Sequence, residues 1–182
     1  GILGVDITLE RLIPVAIAAA QELSHRSTTN TSRSIVIVGY DRRFLAPEFA
    51  EAISSAICAC ELEPLLTETS VTTPACSWAV IKRKAIGAII ITASHNPPEW
   101  LGLKIKGPYG GSVGEDFTSA VEKRLLAGGI THPLISKIKK FNARQEHIEG
   151  MKNKFNVKDL ANGLRRMNLK IFVCLLYTSP SP

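Results

Sequence analysis

Two unbroken apolar runs constrain this chain more than anything else in it: Ile35-Val36-Ile37-Val38, closing at Gly39, and the segment Ala85 to Thr92, AIGAIIIT. A run of this kind, rich in β-branched residues and bounded by glycine and polar residues, reads as a strand buried on both faces, the habit of parallel sheets covered by helices. Helical periodicity surrounds them. Leu9, Leu12, Ile13, Ala16, Ile17, Ala20 and Leu23 recur at three and four behind Thr8, a candidate N-cap. Pro14 falls past the first turn and should bend that helix or delay its start. After a Ser/Thr/Asn loop (Ser27 to Ser34) and the first strand, Pro47 suits a first helical position, and Phe49, Ile53, Ala56, Ile57 and Cys60 continue the face toward Leu62. Pro64 to Glu68 reads as a strand, Val71 to Pro74 as loop, Ala75 to Arg83 as helix, and Asp116 to Leu126 as an amphipathic helix stopped by Gly128-Gly129. This alternation predicts an α/β fold: a three-layer α/β/α domain with a largely parallel (mixed) sheet.

The 182 residues hold one domain of ordinary size and a piece of another. The expected division is a first domain over 1–138, linker helices and the truncated start of a similar second domain over 139–173, and a non-native tail over 174–182. Gln145 to Met167 has the pattern of a polar helical pair, and Leu169 to Leu176 that of a strand. With 45% hydrophobic and 21% charged residues, disorder is excluded. The longest apolar stretch outside a strand, Leu12 to Ala20, is too short to span a bilayer, so no membrane partner is expected. The net charge of +6 divides unevenly: residues 1–136 carry 12 basic against 13 acidic residues, and residues 137–182 carry 10 against 3. The basic part has only scattered Phe141 and Phe155 and no reading element, which argues against nucleic acid. Cys58, Cys60, Cys76 and Cys174 lack paired metal spacing and read as reduced core thiols, so neither disulfide nor zinc is implied. The chain opens on Gly1 with no leader pattern, and its N-terminus is expected to be cut. The expected compartment is the cytoplasm, or a plastid if a transit segment preceded Gly1. Oligomeric state is not legible.

Open α/β sheets place their sites where strands end. Tyr40 to Ala46 follows one core strand and Ala93 to Gly102 another, so GYDRR and TASHNPPEW can share one rim. Thr92-Ala93-Ser94-His95-Asn96-Pro97-Pro98 sets a hydroxyl nucleophile beside an imidazole, stiffened by two prolines. Neighbours on an extended chain point opposite ways, so His95 need not be a base for Ser94, and on spacing alone the segment reads as a turn before it reads as a catalytic pair. Lys104 and Lys106 project to one side of an extended segment before the KGPYGG turn, and are equally a solvated edge.

Taken together, TASHNPP followed by Gly102-Leu103-Lys104 resembles the phosphoserine loop of the α-D-phosphohexomutases, the phosphoglucomutase and phosphomannomutase superfamily. The resemblance runs upstream through Val38-Gly39-Tyr40-Asp41-Arg42-Arg43, similar to that family's Gly-x-Asp-x-Arg loop, and downstream through Lys106 to Gly111. It covers roughly residues 1–172. It implies an isomerase acting by intramolecular phosphotransfer between the 1 and 6 positions of a hexose phosphate, through a bisphosphorylated sugar. Glucose phosphate is the leading substrate, and glucosamine or mannose phosphate the alternatives. Ser94 would carry the phosphoryl group and, through that phosphate, give Mg²⁺ one ligand. The remaining ligands would come from an Asp-x-Asp-x-Asp loop that this sequence does not contain. A glucose bisphosphate-type activator is a further expectation. His95 and Lys104 match positions implicated in positioning or proton transfer, and which of them moves protons is left open. Asn96 is expected to fix the loop backbone, and Arg43 to order the site through Asp41 or a substrate phosphate.

Three departures accompany the resemblance. Leu101 stands where many relatives have Asn, which removes a polar contact. Gly1 aligns with the Gly of an Arg-Gly pair whose arginine is catalytic, so that arginine is expected to be missing. Cys174 to Pro182 does not continue the strand pattern begun at Leu169. On these grounds the 182-residue product alone is expected to be inactive, and a non-catalytic phosphosugar-binding domain is the alternative reading.

Overall fold

Period-two alternation along the buried strands sorts the core onto two faces of one sheet. The computed structural model describes residues 1–27, 34–127 and 138–171. In chain order its elements are α1 (Leu9–Arg26), β1 (Ile35–Tyr40), α2 (Ala46–Cys58), β2 (Glu63–Thr67), α3 (Thr73–Arg83), β3 (Gly87–Ile91), β4 (Leu103–Lys106), α4 (Glu115–Ala127), β5 (Lys139–Phe141), α5 (Ala143–Lys154) and α6 (Val157–Arg166). The strands lie in the order β4-β3-β1-β2-β5. All neighbours are parallel except β3 and β4, so the sheet is mixed and mostly parallel, as the sequence predicts.

Val36, Val38, Ile89 and Ile91 pack with α1, α2 and α4 on one face, while Ile37, Leu65, Ala88 and Ile90 pack with α3 and Phe141 on the other. The two faces make the three layers. In helix α1, Ala16 to Ala20 are all buried beneath its neighbours. Its one buried charge, Glu22, is held by Arg26 and Arg124, each at 2.7 Å. Arg26 also lies over the Phe117 ring at 5.2 Å and pairs with Asp116, joining α1 to α4.

Several boundaries differ from expectation, each for a local reason. Pro14 does not delay α1, which begins at Leu9 and contains it; the buried residues Leu12, Ile13, Ala16 and Ile17 on either side supply the packing that carries the helix through. Helix α2 stops at Cys58 rather than running toward Leu62, because the Cys60 and Glu61 amides turn back onto Ile57 and Cys58 and Glu61 is left-handed (φ +60°). Helix α3 starts at Thr73, with Pro74 in its first turn. The sheet does not close at Ile138: Lys139–Phe141 adds an edge strand beside β2, and the first compact unit runs from Gly1 to His147. In the second unit, which begins at Ile148, α6 is capped by Asn156, whose side chain accepts from the Asp159 amide, and it buries none of its residues. The polar helical pair is present as α5 and α6. Leu169 to Ile171 is not strand, and the rest of that expected strand, the tail over 174–182, Gly128-Gly129 and most of the Ser27 to Ser34 loop lie outside the described residues. Among the described residues no helix is long and apolar enough to cross a membrane.

Candidate active site

Because β1 and β3 are direct neighbours, with Tyr40 opposite Ile91, the residues that follow them leave the sheet side by side. The GYDRR and TASHNPP segments therefore meet at one rim. The Asp41 amide donates to the Ile91 carbonyl at 3.1 Å, and the Thr92 amide to the Gly102 carbonyl at 3.0 Å, so both loops start from pinned backbone. Asp41 then acts in two directions. One carboxylate oxygen accepts from the Arg43 amide at 3.0 Å, closing a local turn, and the other accepts from the Thr92 hydroxyl at 2.6 Å. The Thr92 oxygen in turn accepts from the Ser94 amide at 3.0 Å.

Arg43 holds the loop by its main chain. Its Nη1 donates to the carbonyls of Pro97 at 2.6 Å and Trp100 at 3.0 Å, and its Nη2 to those of Ser94 at 2.9 Å and Asn96 at 2.7 Å. Nε lies 3.3 Å from Asp41 as an ion pair, out of hydrogen-bond alignment. The local chemistry explains why an arginine is needed. Pro97 and Pro98 bring no amide N–H, the Asn96 and Trp100 amides close turns onto the Ala93 and Pro97 carbonyls, and a planar guanidinium presents several further donors at fixed angles. With four of its five N–H groups committed to these carbonyls, Arg43 fixes the loop backbone, and its fork is not open to a phosphate.

Ser94 adopts a left-handed backbone, φ +60°. For a residue with a Cβ that conformation costs roughly 1–2 kcal/mol and persists only where the surroundings enforce it. Here both ends of the residue are held, the amide by Thr92 and the carbonyl by Arg43, while the side chain stands exposed at the rim. Asn96 contributes through main-chain atoms: its amide closes a turn onto the Ala93 carbonyl at 3.1 Å and its carbonyl meets Arg43, while its side chain is exposed and makes no hydrogen bond among the described residues. The far half of the loop is clamped from another direction, with the Leu3 amide donating to the Glu99 carbonyl and the Leu101 amide to the Gly1 carbonyl. Leu101 itself is 1% exposed and belongs to the core, which is why an apolar residue suits that position.

Of the residues singled out from sequence, the fold brings Asp41, Arg43, Ser94 and Asn96 into one bonded network. His95 and Lys104 are exposed, and neither is hydrogen-bonded to Ser94. Lys104 sits on β4 opposite Ile90, one pair below the loop, on the α3 side of the sheet. Since β4 runs antiparallel to β3, the chain then leads away: Lys106 lies opposite Ala88, donates to the Ser112 hydroxyl at 3.1 Å, and carries the KGPYGG turn to the opposite rim from Ser94. Sequence reasoning missed Thr92, quoted within the motif without a role. Its signal was a hydroxyl ending an otherwise apolar strand two positions before Ser94. Among the described residues, no three His, Cys, Asp or Glu side chains are grouped so as to hold a metal ion.

This fold recurs in known proteins. Residues 1–129 match the family model for phosphoglucomutase/phosphomannomutase, alpha/beta/alpha domain I. A phosphoglucomutase of Staphylococcus epidermidis is 29% identical over 166 residues, which are 87% of this chain and 30% of the relative. A phosphoglucomutase of Staphylococcus aureus is 33% identical over 116 residues, 64% of this chain and 20% of the relative. A crystal structure assigned as a phosphomannomutase from Thermus thermophilus superposes with a TM-score of 0.77 at 32% identity, covering 87% of this chain and 35% of that one. A phosphoglucomutase/phosphomannomutase family protein from Burkholderia thailandensis shares the fold at 20% identity, with a TM-score of 0.69 over 82% of this chain and 32% of that one. The chain thus spans about a third or less of the length of these proteins. With residues 1–129 of its 182 matched, it belongs to the phosphoglucomutase/phosphomannomutase family.

Proposed function

We propose that Ser94 is the phosphoryl carrier of an intramolecular phosphotransfer that interconverts hexose 1-phosphate and hexose 6-phosphate. The observation that carries this reading is the placement of Ser94: an exposed hydroxyl on a left-handed residue at the end of a buried strand, its peptide unit fixed at both ends. Fixing the backbone suits phosphoryl transfer, where catalysis is chiefly positioning and charge stabilisation. In the forward step the bond between Ser94 Oγ and phosphorus breaks as the free hydroxyl of the sugar phosphate bonds to phosphorus; the hydroxyl proton passes to a base, and the departing Ser94 oxygen takes up a proton from an acid and leaves as the serine hydroxyl. The bisphosphorylated sugar then turns and returns its other phosphoryl group to Ser94. His95 and Lys104, exposed beside and below the loop, are the groups this chain offers for that proton and for the developing charge.

Mg²⁺ enters this reading as the cation that neutralises the oxygens of the transferring group. This chain's own donors fit it only in part, since both Asp41 oxygens are engaged by Thr92 and the Arg43 amide, leaving one ligand, a phosphate oxygen on Ser94. The family resemblance assigns the other ligands to an Asp-x-Asp-x-Asp loop of a second domain. Glucose phosphate is the first substrate to try, with glucosamine and mannose phosphates beside it, and a hexose bisphosphate to load Ser94. Because the chain spans 30% of the length of the S. epidermidis relative, turnover is assigned to the full-length protein. The test is its assay with each sugar, paired with mass spectrometry of the Ser94 peptide. Phosphate on Ser94 and loss of turnover in Ser94→Ala are expected; interconversion that survives Ser94→Ala unchanged would overturn the assignment.

A further inference from the structure

We infer that Thr92 is a positioning residue for Ser94: its hydroxyl, oriented by Asp41, holds the Ser94 peptide unit in the left-handed conformation that presents Oγ. The inference rests on the reading of Ser94 as phosphoryl carrier. A threonine hydroxyl has one proton, and here it goes to the Asp41 carboxylate at 2.6 Å, the short distance of a charge-assisted bond. The lone pairs are thereby turned toward the loop, where the oxygen accepts from the Ser94 amide at 3.0 Å. The charge on Asp41 polarises both bonds in the same sense. The other end of Ser94 leads back to the same carboxylate, because Arg43 holds the Ser94 carbonyl at 2.9 Å while its Nε lies 3.3 Å from the Asp41 oxygen that Thr92 contacts. Asp41 thus grips Ser94 by its amide through Thr92 and by its carbonyl through Arg43. Thr92 is 7% exposed, which keeps water from competing for either bond. One consequence is that the Ser94 amide faces inward and is not a donor to the transferring phosphoryl group.

A buried threonine ending a strand also has a purely packing role, and the two roles order the variants oppositely. Valine keeps the branched shape and loses the hydroxyl; serine keeps the hydroxyl and loses a methyl. Positioning makes Thr92→Val the damaging change and Thr92→Ser the tolerated one, whereas packing predicts the reverse. The experiment uses the full-length protein, with steady-state kinetics on a hexose 1-phosphate and hydrogen exchange of the Ser94 amide. In Thr92→Val, kcat should fall about 100-fold, the order expected for a displaced reacting group, with KM within about threefold. Thr92→Ser should stay within about fivefold of the parent kcat. The Ser94 amide should exchange faster in the valine variant. Parent kcat in Thr92→Val, or an equal fall in Thr92→Ser, would overturn the inference. Should Thr92→Val fail to fold, Asp41→Asn keeps the side-chain volume and removes the orienting charge: a lowered kcat at unchanged KM supports the inference, and parent kcat overturns it. If Ser94→Ala still turns over, the carrier reading falls by itself, and the exchange rate still decides the contact: faster exchange upholds it and an unchanged rate refutes it.

Discussion

Arg43 and Ser94 stand 51 positions apart in sequence and 2.9 Å apart in space, Nη2 to carbonyl oxygen. That contact is one of four by which a single side chain shapes the loop. Lysine keeps the charge but not the fork, and one ammonium cannot serve four carbonyls spread over seven residues. In the full-length protein, Arg43→Lys should lower kcat by about 100-fold. Stability should change by only about 1 kcal/mol, because exposed carbonyls can turn to water. Kinetics and urea melts on the same preparation check both, and parent kcat in the lysine variant would contradict the clamp.

Gly39 is fixed by a neighbour rather than by a turn. It lies in β1 opposite Ile90, and a Cβ there would overlap the Cys76 sulfur on α3. Gly39→Ala should destabilise the chain by about 1–3 kcal/mol. Cys76→Ala opens the needed space, so the double variant should be more stable than the sum of the single effects predicts. Additive midpoints in urea would show that the overlap is not what excludes a side chain.

Glu22 ties stability to pH. Its burial pushes the carboxyl up, but hydrogen bonds from Arg26 and Arg124 outweigh this and hold it below the ordinary value of 4.5. A folded value below the unfolded one stabilises the protein above pH 4.5, and that contribution is lost as pH falls through the folded value. Glu22→Gln should cost about 1–3 kcal/mol at neutral pH, moderated by the partial exposure of both arginines. The gap to the parent should shrink below about pH 4. Urea unfolding of both proteins across that window is the check, and a gap that stays constant would rule out the ion network as its source.

Burial raises the Cys76 thiol to about 12, with Lys106 opposing weakly. The reactive thiolate is therefore scarce at pH 8, and the sulfur is enclosed as well. Native protein treated with iodoacetamide should label at the half-buried Cys58 and Cys60 while Cys76 stays unmodified until denaturant is added. Peptide mass spectrometry reads this directly, and native labelling of Cys76 would show that α3 opens.

What the sequence made legible was the pattern that physics repeats. The Ile35 to Val38 and Ala85 to Thr92 runs identified the central strands, and their adjacency brought the GYDRR and TASHNPP loops to one rim. Direction was not legible in the Leu103–Lys106 strand, because period-two alternation reports which face a residue takes and not which way a strand runs. That is why Lys106, two residues beyond Lys104, lies at the far end of the sheet. The edge strand β5 reads Lys-Lys-Phe and carries too little apolar pattern to be separated from a linker; Lys139 and Lys140 reach out instead to Glu63 and Glu51. At the site, residue types marked the loop that carries Ser94, but not that Asn96 is held through its backbone or that Thr92 joins Asp41 to the loop, since both depend on contacts made across the fold.

The shape of the TASHNPP loop is stored elsewhere in the chain. A heptapeptide of that sequence would lack the Arg43 donors to its Ser94, Asn96 and Pro97 carbonyls and the Asp41 contact that orients Thr92, and would have no reason to keep its serine left-handed. On the ribosome Arg43 is made 51 residues before Ser94, a lead of roughly 3–10 s at about 5–20 residues per second. The β2 and α3 segments are made in that interval, and the loop takes form only when β3 slides in beside β1. An enzyme or reagent that recognises Ser94 by its conformation is therefore reading whether the sheet has closed.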